Sequence, residues 1–148
     1  MKQTYGNISR VFTDEKPAIY DRQTRIINFD FQEAEQQQAT SGEANEATKS
    51  KGTDKETANI TKGWSGFTVQ SDGIIDYGHL KSLLIEAAYP QKDEFAIAFN
   101  MIPVLQAQIA GKELTEEQQA DLQKYNDFME LRNLAAETAK AVVDSFKA

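Results

Sequence analysis

Between Gln32 and Asn59 the chain carries no Val, Ile, Leu, Met, Phe, Tyr or Trp. A stretch that long cannot bury enough apolar area to offset the entropy of ordering it, so its default state is a mobile loop. Two alternatives stay open. Glu33 to Ala39 are good helix formers without an apolar stripe, so a helix there would need a supporting neighbour. Otherwise the flanking strands continue outward as a polar β-arm with Lys51-Gly52-Thr53-Asp54 near its tip. Loops of this length inside compact domains are uncommon and often functional. If the arm is ordered, another subunit is expected to hold it.

On either side of the insertion the pattern is that of strands. Arg25, Ile27, Phe29 and Phe31 share one parity and Ile26, Asn28, Asp30 and Gln32 the other, as in a strand with one wet face. Ile8 to Phe12 is a shorter strand candidate, and Thr13 to Pro17 supplies a turn. Antiparallel pairing of these two runs is the economical expectation. After the insertion, Ile60, Lys62 and Trp64 share a parity, then Phe67 and Val69 take the opposite one. That shift predicts a bulge at Ser65-Gly66, or a turn between two short strands. Ser71-Asp72-Gly73 is a turn signal. The lone Trp64 reads as a core or sheet-face anchor.

From Asp76 onward the period becomes helical. Asp76 is a candidate cap for a helix carrying Leu80, Leu83, Leu84, Ala87 and Ala88, and Tyr89-Pro90 ends it. Asp93 and Glu94 favour a second helix start. Its apolar stripe is Phe95, Phe99, Ile102, Leu105 and Ile109, with a kink or break expected near Phe99 to Pro103 and a stop at Gly111. Thr115 and Gln118 form a capping box for a long last helix reaching about Phe146. That helix bears apolar residues on more than one side, with Phe128, Leu131, Leu134 and Val142 beside its main face. Such width predicts several packing partners, a second chain among them. The fold class is therefore α+β: antiparallel strands and the polar insertion (at about 32–59) in residues 1–75, a three-helix bundle in 76–148, and one compact unit overall.

Catalytic chemistry has little to work with. There is no cysteine, which excludes thiol catalysis, disulfides and thiolate metal sites. His79 is the only histidine and reads as a capping or surface residue; no metal site, nucleotide loop or serine elbow accompanies it. Acidic residues abound without a marked pair. With 23 acidic against 16 basic residues and a net charge of −7, the chain lacks the basic face of a nucleic-acid binder. No run approaches the ~20 apolar residues of a membrane span, and the N-terminus lacks a signal-peptide core. The expected setting is the cytoplasm or something assembled there.

Three segments carry a resemblance. Asp76-Tyr77-Gly78-His79-Leu80-Lys81-Ser82-Leu83-Leu84-Ile85-Glu86-Ala87-Ala88-Tyr89-Pro90 is one, Asp93-Glu94-Phe95-Ala96-Ile97 the next, and Tyr125 to Ala135 the third. Together with the opening Tyr5-Gly6-Asn7-Ile8, they resemble small proteins encoded among tail and tail-fibre genes of Bacteroides-type phages and prophages. The resemblance covers roughly residues 76–140. It implies a structural virion protein of the tail or fibre attachment, assembled in the bacterial cytoplasm. No catalytic residue and no cofactor are implied. Other phage structural proteins and further copies of the chain are the expected partners, with neither nucleic acid nor membrane. The contact residues expected from the sequence are Trp64, Phe128, Leu131, Leu134, Val142 and Phe146. A tail or fibre assembly factor that leaves the particle, and a small carboxylate enzyme, are the alternatives.

Overall fold

Gly6 reverses the chain almost at once. Its φ of +55° suits the first central position of a two-residue hairpin turn. The turn joins β1 (Thr4–Tyr5) to β2 (Ile8–Ser9), with Tyr5 opposite Ile8. The protein is described by a computed structural model covering residues 1–37 and 60–147. Three further strands precede the insertion: β3 (Val11–Thr13), β4 (Tyr20–Asp21) and β5 (Ile26–Gln37). β6 (Ile60–Gln70) follows it. The second sheet has the order β3-β6-β5-β4, antiparallel throughout. Helices α1 (Tyr77–Ala88), α2 (Gln91–Ile109) and α3 (Glu116–Ser145) complete an α+β fold.

Two pairings differ from the sequence expectation. β3 pairs with β6, Phe12 opposite Ser65, and β5 takes β6 and β4 as neighbours. The expected bulge is present, but the extra residue belongs to β5. Phe29 pairs with Phe67 and Gln32 with Ser65, so Asp30 and Phe31 together oppose Gly66. Asp30 takes the left-handed conformation (φ 54°) that such a bulge requires and that Asp tolerates. The Phe31 ring lies on Gly66, where an added Cβ would stand 2.3 Å from Cδ1. Beyond the bulge the strands run on as a two-stranded ribbon from Gln32 to Gln37 and from Ile60 to Ser65. The helical alternative for Glu33 to Gln37 is thereby replaced by strand. The rest of the polar insertion, 38–59, lies outside the described residues.

The helix ends follow their local signals. The Asp76 side chain accepts from His79 N at 3.0 Å, and Tyr89, extended before Pro90, closes α1. Gly111, with φ +72°, ends α2 in a Schellman motif: Lys112 N donates to the Ala107 carbonyl and Gly111 N to that of Gln108. Both halves of the Thr115/Gln118 capping box form. Pro103 does not break α2, which continues through it.

The core is one contiguous cluster. Ile27, Phe29, Phe67 and Val69 line the inner sheet face, and Leu80 and Leu84 of α1 descend onto them. Leu131, Ala135, Ala139 and Val142 of α3 are fully buried in the same cluster, the two alanines letting that helix approach closely. α2 stands apart from the sheet and packs chiefly against α3.

Two buried phenols tie this core to pH. Burial raises Tyr5 well above the ordinary tyrosine range, helped by its hydrogen bond to Glu130 Oε1 at 3.0 Å and by that carboxylate's charge. Tyr89 is pushed up to about 12, first by burial and then by the charge of Asp127. A pKa raised on folding gives stability that is complete below the unfolded value of about 10 and is lost as pH rises through the folded one. Alkaline unfolding is therefore expected to begin near pH 10 and to accelerate above about 12. Phenolate absorbance followed with circular dichroism checks this. Tyr5 and Tyr89 should ionise late and together with loss of helix, so five tyrosines titrating alike in an intact fold would contradict it.

Candidate functional site

Every residue from Phe95 to Gly111 is uncharged, in a chain that is 26% charged. α2 is therefore apolar on two sides. Its inner strip, centred on Ile97, Met101 and Val104, packs inward, Met101 and Val104 being buried. Arg132 of α3 lies 3.9 Å from Glu94 at the helix start, an exposed ion pair. The outer strip consists of Phe95, Phe99, Ile102, Leu105 and Ile109. These side chains are between 48% and 87% exposed, Ile109 the most. Five large apolar side chains therefore lie exposed along one strip of a single helix.

The contact residues expected from the sequence fall elsewhere. Leu131 and Val142 are fully buried, Phe128 is 6% exposed, and Leu134 packs against the same core. These four serve the interior, because α3 meets α1, α2 and the sheet within one chain, and this accounts for its extra apolar width. Phe128 sits edge-on against Tyr89 at 5.1 Å. Phe146 is partly exposed at the end of α3, edge-on to Tyr20 at 5.5 Å and covered by the Arg22 guanidinium at 4.0 Å. Trp64 is half-buried on the sheet, with Lys16 Nζ 5.3 Å from its ring. The structure thus does not gather the six into one surface. The α2 stripe is visible in the sequence as a stripe, but with no charge anywhere from Phe95 to Gly111 the sequence does not say which side of the helix faces out.

Polar chemistry is dispersed. His79 Nε2 meets Asp72 Oδ2 at 2.6 Å, and Asp72 is held below the usual carboxylate range, first by His79 and then by the Ile74 amide. Asp21 is likewise lowered, by the amides of Gln23 and Thr24 in the β4–β5 turn. Asp72 lies in an exposed turn and Asp21 at the end of β4, and the hydrogen bonds of both shape the backbone. An open groove of about 390 Å³ lies between the first hairpin, α2 and α3, lined in part by Tyr89, Asp93, Asn100, Lys124 and Asp127. Among the described residues no three His, Asp or Glu side chains come together as a metal site. No described helix is long and apolar enough to cross a membrane.

No protein family, curated protein or solved structure matches the chain. The surface itself carries the functional reading.

Proposed function

We propose that the protein is a non-catalytic structural subunit that works through protein–protein contact, with the outer strip of α2 as its contact surface. The observation that carries this reading is the exposed, uncharged stripe from Phe95 to Ile109. Interface cores are depleted in charge and rich in aromatic and aliphatic anchors, and this strip has that character. The resemblance of residues 76–140 to tail-region proteins of Bacteroides-type phages supplies the setting: a virion tail or fibre-attachment component.

Mass spectrometry of purified particles tests the setting, and a substitution tests the surface. The wild-type chain should be present in particles. Phe99→Asp should reduce its content at least about tenfold, as expected for loss of an interface anchor, while the purified variant keeps its helical spectrum. A wild-type chain missing from particles would make it an assembly factor instead. Incorporation of Phe99→Asp at the wild-type level would remove the α2 face from the proposal.

A further inference from the structure

We infer that the partner for the α2 face is a second copy of this chain, seated with its α2 antiparallel across a twofold axis at Ile102. The inference rests on the reading of α2 as the contact surface and adds what covers it. The stripe is palindromic. Phe95 and Ile109 stand seven residues either side of Ile102, and Phe99 and Leu105 stand three either side. A twofold contact requires residue i to meet j while j meets i, and antiparallel helices paired about Ile102 satisfy that at every stripe position. Phe95 then faces the partner's Ile109, Phe99 faces the partner's Leu105, and Ile102 meets its own copy. Each ring is set against an aliphatic side chain, so bulk is matched along the seam.

The area suffices. Large apolar side chains bring on the order of 150–250 Å² each, so five of them at these exposures offer roughly 600 Å² per chain. Complete covering of the strip in two copies would bury up to about 1,200 Å², the low end for a specific interface. An unlike protein would have no need of the symmetric spacing. A membrane surface would call for Lys and Arg flanking the strip, whereas α2 and its C-terminal turn carry only Lys92 and Lys112, at the two ends, in a chain of net charge −7.

Light scattering of the purified full chain over the micromolar range is expected to give twice 16.6 kDa. Ile102→Glu sets two carboxylates against each other on the axis and should weaken the dimer at least about 100-fold, with the helical spectrum unchanged. The register is tested by cross-linking, since the chain has no cysteine of its own. Ile102→Cys should cross-link to itself. Phe95→Cys and Ile109→Cys should cross-link when mixed but not separately. A monomeric wild-type chain, a dimer indifferent to Ile102→Glu, or self-linking of Phe95→Cys and Ile109→Cys would each overturn the proposal. A monomer whose Phe99→Asp variant still drops out of particles would leave the contact surface standing with an unlike partner. A dimer split by Ile102→Glu with unchanged particle content would do the reverse.

Discussion

Arg10→Ala is expected to destabilise the protein by about 3–5 kcal/mol, the range for breaking a buried ion pair by removing one partner. The Arg10 side chain is only 3% exposed although it lies in the short link between β2 and β3. Its Nη2 donates to the Asp30 carboxylate and its Nε to the Lys2 carbonyl. Its Nη1 donates to the carbonyls of Asp30 at 2.8 Å and Ser65 at 2.9 Å. The guanidinium also lies over the Phe67 ring, 4.6 Å from its centroid. One planar fork therefore fastens the N-terminal segment to the bulge of β5 and to β6. Alanine would leave Asp30 without its counter-charge, strip several carbonyls of their donor and open space above Phe67. Lysine keeps the charge but cannot reproduce the fork, so Arg10→Lys should recover only part of the loss. For a chain of this size the alanine variant should melt on the order of 10 °C lower. A denaturant titration giving a loss under about 1 kcal/mol would show that water replaces the guanidinium at little cost.

Arg10 also shows where sequence reading reaches its limit. Nothing local distinguishes it from the other basic residues, because apart from the Lys2 carbonyl its partners lie twenty and more positions away in β5 and β6. The helix boundaries were legible for the opposite reason: Asp76, Pro90, Gly111, Thr115 and Gln118 act on amides and carbonyls within a turn of themselves. Strand existence was readable from alternation, and strand partners were not. Val11 to Thr13 could pair with any open edge, and the hairpin at Gly6 together with Arg10 delivers them to β6. The bulge was readable as a phase problem near Gly66, but alternation cannot say which strand holds the extra residue. For the candidate surface the difficulty was one of choice. α2 has two apolar strips and α3 several, and the sequence shows both helices without showing which strip meets which. The closely packing Ala135 and Ala139 draw α3 into the sheet and α1, and α2 then docks by its narrower strip, leaving the aromatic one outside.

Gly6→Ala should be nearly as damaging as loss of Arg10, at about 3 kcal/mol or more, because backbone strain and overpacking act at the same atom. The residue holds φ +55°, and a Cβ built on it would lie 2.0 Å from the Ala88 carbonyl oxygen and 2.9 Å from its carbon. That carbonyl is one of the orphan acceptors at the end of α1, and Asn7 N satisfies it at 2.7 Å. The hairpin tip thus caps the helix, and only a hydrogen fits between them. With alanine the tip must lift, which removes the Asn7 donor from the carbonyl and loosens the adjoining Tyr5 and Tyr89 from the core. Gly111→Ala separates the two contributions. Its φ of +72° is equally unsuited to a side chain, but nothing lies within 4 Å of the added carbon. It should therefore cost only the left-handed penalty of roughly 1–2 kcal/mol. Parallel thermal and denaturant unfolding of the two variants gives the difference, and that difference measures the clash with Ala88. Equal losses at Gly6 and Gly111 would mean that the hairpin yields freely and that its docking on α1 contributes little to the fold.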